Sequence, residues 1–197
     1  MKPNFLHISL LAALLAIASC SSTPTGQSST TLAVEKGVPG GVMVDTYKTT
    51  ATVTGIDATT RKVTVVNRAG KKVILKCGPE VINFDQIHLG DQLKATVVEE
   101  VAVYLAEAGA PPSDGAATTV VLAPKGAKPG GVMVDTVRVT AKVTAINLRR
   151  HKATLKFPDG TTKTVAVRPD VDLTQRKVGE EVVIRTTESV AISVEKP

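Results

Sequence analysis

The sequence predicts an all-β protein built from two similar small barrels. Two observations lead to this fold class. The seven residues GGVMVDT occur twice, at Gly40–Thr46 and at Gly130–Thr136. Apolar and polar residues also alternate through most of the chain after each copy, which is the pattern of half-buried strands. A repeated string followed by repeated alternation indicates a duplicated β domain.

The similarity between the copies continues well beyond the seven residues. TATVTGIDATTRKVTV at 50–65 aligns with TAKVTAINLRRHKATL at 140–155. After a one-residue deletion in the second copy, GDQLKATVVEEVAVYL at 90–105 aligns with GEEVVIRTTESVAISV at 179–194. Because two copies are too few for a solenoid, we expect two tandem domains.

Each copy has the same predicted order of elements. The repeated string leads into a long first strand, and a second strand follows it. RAG at 68–70 and PDG at 158–160 are hairpin turns before a third strand. Val81, Phe84 and Ile87 then fall three residues apart, which predicts one or two helical turns. Alternation returns after the next glycine and predicts two final strands.

Three strands, a short helix and two more strands form an order that resembles the OB-fold. The resemblance implies two tandem five-stranded Greek-key barrels, each with a short helix between strands three and four. An SH3-like or other small barrel is the alternative. In either fold the repeated string is the entry to the long first strand, where the glycines let the chain turn into the sheet.

The first twenty residues have the pattern of an export signal. Lys2 precedes the apolar run Phe5–Ile17, which is too short to span a bilayer comfortably as a helix. The next residues end in IASC at 17–20, which resembles the lipobox of bacterial lipoproteins. The resemblance implies cleavage before Cys20 and acylation of that residue, which anchors the chain to a membrane. Ser21 after the cysteine favours the outer membrane, facing the periplasm.

These signals divide the chain into five segments. They are a signal peptide at 1–19, a lipidated flexible tether at 20–31, a first barrel at 32–105, a linker at 106–117 and a second barrel at 118–197. The tether and the linker are assigned from their small, polar and proline-containing composition. TTVVLA at 118–123 is a candidate for an additional strand at the junction.

Charge distinguishes the two repeats. The whole chain has 24 basic and 18 acidic residues, but residues 40–105 carry eight and seven while residues 130–197 carry twelve and eight. NLRRHK at 147–152, in the first hairpin loop of the second repeat, is the densest basic stretch. Arg149, Arg150 and Lys152 are therefore candidate contacts to an anionic surface, such as lipid headgroups, lipopolysaccharide or a protein partner. A solvated loop is the alternative interpretation.

The two methionines of the repeated string raise the question of a metal site. Thioethers suit Cu(I), and small periplasmic copper chaperones with an OB-like barrel use methionines, a histidine and a tryptophan. This chain has no tryptophan. His88 and His151 occupy unrelated positions in the two repeats, so packing between valines is favoured for Met43 and Met133. We predict no metal site and no cofactor.

Other site classes have weaker support in the sequence. Cys77 aligns with Val167 at the end of the third strand, which predicts a buried structural thiol. The few aromatic residues argue against single-stranded nucleic acid as a partner, because such binding depends on base stacking. No arrangement of serine, histidine and an acid recurs, so we do not expect an enzyme.

The sequence therefore predicts a non-enzymatic lipoprotein of the cell envelope that acts as a binding or scaffolding module through its barrel surfaces. Its expected partners are the membrane, through the lipid anchor at Cys20, and an unidentified envelope protein or anionic surface. The alternative is a periplasmic metal-binding chaperone of the copper type.

Overall fold

The computed structural model describes residues 26–107 and 114–197. The predicted signal peptide at 1–19, the predicted lipidation residue Cys20 and residues 108–113 of the predicted linker lie outside the described residues. Within the two described ranges, no helix has the length and apolar character needed to span a bilayer.

The first repeat forms five strands and a single 3-10 turn. Valine and threonine dominate its strands, and their branched side chains favour extended backbone. The elements, in order, are β1 (Gln27–Ala33), β2 (Gly41–Asp57), β3 (Lys62–Asn67), β4 (Lys72–Lys76), the 3-10 turn (Phe84–Gln86) and β5 (Gln92–Leu105).

The second repeat contains the same elements in the same order. They are β6 (Gly115–Leu122), β7 (Gly130–Asn147), β8 (Lys152–Lys156), β9 (Thr162–Ala166), a 3-10 turn (Leu173–Gln175) and β10 (Glu181–Glu195). The additional strand predicted at 118–123 is confirmed as part of β6, which pairs with β7. Residues 27–31, assigned to the tether from composition, form part of the corresponding strand β1.

The repeated string starts the long strand of each repeat, as predicted. Gly40 directly precedes β2 and Gly130 opens β7. A Cβ atom at Gly40 would collide with the backbone carbonyl of Val103, and one at Gly130 would lie 2.7 Å from the carbonyl oxygen of Ile192. Both positions therefore require glycine because a neighbouring strand approaches too closely for a side chain.

All ten strands join one antiparallel sheet. The central order is β4-β3-β2-β5-β10-β7-β8-β9, while β1 pairs with the first half of β2 and β6 with the first half of β7. The all-β class is confirmed, but the two five-stranded OB-like Greek-key barrels need correction. The described residues show one open sheet, because β5 pairs with β10 along its whole length. In a closed barrel, the free edge of β5 or β10 would pair with a strand of its own repeat. Here each of these edges pairs with the other repeat instead.

The predicted helix between strands three and four also needs correction. Each repeat has one 3-10 turn at this place, and the described ranges contain no α-helix. Phe84 and Leu173 are the buried residues of the two turns. A second apolar residue of each connection, Ile87 or Val171, is also buried, but it lies outside the three-residue turn.

A pseudo-twofold axis relates the two repeats. Glu99 of β5 lies directly opposite Glu188 of β10, and these residues are also equivalent in the alignment of the repeats. Leu93 lies opposite Val194, and the equivalent pair, Leu105 and Val182, is opposed in the same way. The twofold axis that relates the antiparallel neighbours β5 and β10 is perpendicular to the sheet. Equivalent residues of the two repeats therefore lie on the same face.

The two faces of the sheet differ in character. Residues opposite one another on neighbouring strands point to the same side. The core face carries the buried residues Ala51, Val53, Ala141 and Val143. The opposite side is the polar face, which carries most of the charged strand residues but also buries Ala102 and Val183 on β5 and β10. The first apolar core combines residues of β2, β3, β5 and the first 3-10 turn with Val194 of β10. The second repeat therefore completes the core of the first.

Turns of each repeat are held by the other repeat. The guanidinium of Arg168, after β9, donates hydrogen bonds to the carbonyl oxygens of Glu35 (2.7 Å) and Val38 (3.0 Å) in the β1–β2 turn. In the same way, the Asn83 amide, before the first 3-10 turn, donates to the carbonyl oxygen of Pro124 (2.9 Å) in the β6–β7 turn. The repeats thus interlock through their loops as well as through β5 and β10.

Candidate functional site

The basic loop, residues 147–152, is a tight turn between β7 and β8. The Asn147 side chain accepts a hydrogen bond from the backbone N–H of Arg150 at 2.9 Å. His151 has φ of 51°, and its carbonyl oxygen accepts from the backbone N–H of Val167 at 3.0 Å. The His151 ring nitrogen Nε2 lies 2.9 Å from the carbonyl oxygen of Arg168. The backbone of the basic loop is therefore fixed on both sides.

The equivalent turn of the first repeat has the same backbone and a different anchor. Arg61 occupies the position of His151 and has the same φ of 51°. Its guanidinium donates to the carbonyl oxygens of Gly78 (3.0 Å) and Val81 (2.7 Å) and lies 4.6 Å from the centre of the Phe84 ring. Arg61 and His151 thus tie the turn to the loop that precedes the 3-10 turn, which is a structural role.

The three predicted contact residues project from the basic loop. Arg149, Arg150 and Lys152 are exposed, and none of them forms an ion pair with another described residue. The loop holds their backbone while their charges stay free.

The charged residues of the strands are separated by face. The register of neighbouring strands places nearly all strand lysines and arginines on the polar face, and Lys163 is the exception among the described strands. The cations of the polar face are Lys48, Lys62, Lys72, Lys76, Lys94, Arg138, Lys142, Lys152, Lys156 and Arg185. Its carboxylates are Asp57, Glu100, Glu181 and Glu195.

Cations near the centre of the polar face have partners. Lys94 pairs with Glu195 at 2.6 Å, and Arg185 pairs with Glu100 at 2.8 Å. The Arg138 guanidinium lies 5.9 Å from the centre of the Tyr104 ring. The lysines of the outer strands on this face form no ion pair within the described part of the chain.

A row of carboxylates crosses the centre of the core face. Asp45 lies opposite Glu99, Glu99 opposite Glu188, and Glu188 opposite Asp135, on the four adjacent strands β2, β5, β10 and β7. Burial raises the pKa of Glu188, and the neighbouring charges of Glu99 and Asp135 raise it further. The sequence gives no sign of this row, because it depends on the pairing of β5 with β10.

The structure separates the two methionines proposed for soft-metal ligation. Met43 of β2 and Met133 of β7 lie on the core face with β5 and β10 between them. Three inter-strand spacings amount to about 14 Å, so the two sulfur atoms are not placed to hold one ion together. The described residues also contain no group of three or more histidine, cysteine or acidic side chains arranged to hold a metal ion.

Cys77 is half-buried and packs against the first apolar core. Burial raises the pKa of its thiol, although Arg61 lowers it in part. The thiol is therefore mostly protonated near neutral pH, which lowers its reactivity. The environment agrees with the predicted packing role, with the difference that the residue is only partly enclosed.

Surface cavities among the described residues lie at two places beside the sheet that bear on the candidate site. One of about 300 Å³ is lined by Leu148, His151 and the segment 169–174. The other, of about 220 Å³, lies beside Asp91 and Lys196, where the two repeats meet. Burial would raise the pKa of Asp91, but a hydrogen bond from the backbone N–H of His88 and the Lys196 ammonium group lower it below its usual value. These contacts give Asp91 a structural role at the junction.

Comparison with known proteins adds no assignment. No protein-family model matches the chain, and no curated protein matches it.

Proposed function

We propose that the chain is a non-enzymatic lipoprotein of the cell envelope, anchored through Cys20, that acts as a binding or scaffolding module through the surfaces of its sheet. The observation that carries the binding role is the basic loop. Its backbone is fixed by hydrogen bonds, and Arg149, Arg150 and Lys152 are exposed without ion-pair partners. A fixed turn with free charges binds an anionic partner without the cost of ordering a flexible loop.

The anchoring part of the proposal rests on the order of charge, apolar run and IASC at the start of the chain. A diacylglycerol together with an acylated amino terminus provides the several hydrocarbon chains that stable membrane attachment needs. With Ser21 after the cysteine, we place the protein in the outer membrane, facing the periplasm.

Cross-linking in intact envelopes, with two variants, tests the proposal. In Cys20→Ala we expect loss of labelling by a tagged fatty acid and release of the protein into the soluble fraction. In the triple variant Arg149→Gln, Arg150→Gln, Lys152→Gln we expect unchanged anchoring and clearly weaker cross-linking to the partner of the parent protein.

A matched control removes three cations from other loops. Arg68→Gln, Lys71→Gln, Lys125→Gln carries the same change in charge and leaves the basic loop intact, so its cross-linking should equal that of the parent. A Cys20→Ala protein that stays membrane-bound and labelled contradicts the lipoprotein assignment. Equal loss in both triple variants contradicts the role of the basic loop.

A further inference from the structure

We propose that the polar face of the sheet lies against anionic phospholipid headgroups of the membrane that holds the chain. The proposal extends the proposed function, and it rests on that function only for the anchor at Cys20. Two lysine patches carry it. The first patch is Lys62, Lys72 and Lys76 on β3 and β4, and the second patch is Lys142, Lys152 and Lys156 on β7 and β8.

Each patch places like charges directly opposite one another. Lys62 of β3 faces Lys76 of β4, and Lys142 of β7 faces Lys156 of β8. Like charges in directly opposed positions of an antiparallel pair destabilise the sheet. Folding therefore does not account for these pairs, whereas an anionic surface would remove their repulsion and gain attraction from both lysines.

The nearby carboxylates form no ion pairs with the lysines of the patches. Asp57 is opposite Lys62 and Glu181 is opposite Lys142, yet neither carboxylate forms an ion pair with its lysine. Asp57 instead accepts hydrogen bonds from the backbone and the hydroxyl of Thr60. In the middle of the face Lys94 and Arg185 are paired with carboxylates, whereas no lysine of the two patches forms an ion pair with another described residue.

The two patches lie on the same face of the sheet. The register of neighbouring strands places all six lysines on the polar face, although only Lys62 and Lys152 are equivalent in the alignment of the repeats. From β3 to β8 there are five inter-strand steps, which amount to about 24 Å. Two patches so far apart fit an extended anionic surface better than a small ligand.

The composition of the polar face favours a membrane over a nucleic acid as its ligand. Tyr104 is the one aromatic residue that the described strands place on the polar face, and Arg138 lies over its ring. The polar face of these strands therefore offers a single aromatic ring, whereas binding of single-stranded nucleic acid relies on successive bases stacking on aromatic side chains. Threonine hydroxyls, such as the bonded pair Thr154 and Thr164 (2.9 Å), lie among the lysines of the second patch and add hydrogen-bonding groups for phosphate.

The distance from the anchor to the sheet also favours the membrane. Strand β1 starts at Gln27, seven residues after Cys20. Seven residues reach at most about 25 Å, whatever their conformation. An acylated Cys20 therefore keeps the sheet within reach of the headgroups, where the local concentration of anionic lipid is high.

Vesicle binding by unacylated protein tests the proposal apart from the anchor. Residues 21–197 retain everything that the structure describes. We expect them to bind vesicles of phosphatidylglycerol and phosphatidylcholine, to bind pure phosphatidylcholine far more weakly, and to dissociate as salt rises from about 0.1 M to about 1 M. The variant Lys72→Gln, Lys76→Gln, Lys142→Gln, Lys156→Gln should lose at least about a hundredfold in affinity, since each lysine near an anionic bilayer contributes about fivefold.

The control is Lys36→Gln, Lys125→Gln, Lys163→Gln, Lys177→Gln, which removes the same charge from loops and from the core face. Its affinity should stay within about threefold of that of the parent. Both variants should melt as cooperatively as the parent, because no buried contact changes. Equal losses in the two variants, or equal binding of soluble polyphosphate and of anionic vesicles by the parent, would overturn the proposal. If Cys20→Ala loses its anchoring but binds vesicles as well as the parent, the result supports headgroup binding by the polar face independently of the anchor.

Discussion

At the scale of single residues, the carboxylate row is the least favourable arrangement in the sheet. Glu188 lies between Glu99 and Asp135, and each of these neighbours is directly opposite it. A carboxyl with a pKa raised by folding binds its proton more tightly in the folded protein. The free energy of unfolding then falls as pH rises from the usual pKa of 4.5 through the raised pKa of the folded protein. Above the raised pKa, the whole loss of stability is present.

We therefore expect Glu188→Gln to stabilise the protein at pH 7. The gain should be about 0.2–1 kcal/mol, which is the magnitude of a directly opposed side-chain pair in a sheet. The gain should shrink below the usual pKa of glutamate, because the carboxyl of the parent is then protonated in both states. Urea unfolding at several pH values measures this difference.

Glu181→Gln is the matched control for this prediction. Glu181 lies on the same strand, but on the polar face opposite Lys142. Its replacement should leave stability at neutral pH unchanged or slightly lower. If Glu188→Gln destabilises the protein at pH 7, repulsion within the carboxylate row does not control its effect on stability, and the prediction is wrong.

At the scale of elements, the end of β10 has a role that its place in the second repeat does not suggest. Val194 is 6% exposed, lies opposite Leu93 and packs in the first core. The backbone N–H of Val194 also donates to the carbonyl oxygen of Pro129 at 2.9 Å. One residue thus fixes contacts with both repeats.

We expect Val194→Ala to lower the free energy of unfolding by about 2 kcal/mol, through lost burial and the cavity it leaves. Ile192→Ala is the control, since Ile192 lies on the same face of the same strand and is 37% exposed. It should cost less than half as much, even though a larger side chain is removed. Equal costs would show that Val194 is not enclosed by the first core.

At the scale of the whole molecule, the two repeats form one unit because β5 and β10 pair from Gln92 to Leu105. Cleavage at a protease site introduced into residues 108–113 should therefore leave the two fragments associated. We expect them to elute together from a sizing column in buffer and to separate in denaturant. Separate elution in buffer would favour two independent domains.

The sequence predicts much of this fold, but not how its parts join. Alternation identifies most strands and their buried sides, and the string GGVMVDT marks where each long strand starts. Alternation divides β5 and β10 each into two predicted strands, where the structure has one, and it leaves most of β1 in the predicted tether. Closed barrels and one open sheet require the same alternation, so the pairing of β5 with β10 could not be predicted from it. The basic loop was visible as a run of cations. The two lysine patches were not, because they depend on which strands are neighbours.

The place of Val194 in the first core has a consequence for the order in which the protein matures. Every strand of the first repeat is synthesised before β10, yet the core they enclose stays incomplete until Val194 is available. Contacts so distant along the chain form slowly. A growing chain that cannot complete its first core stays unfolded for longer. The interlocked repeats therefore make folding of the first repeat depend on synthesis of the last strand.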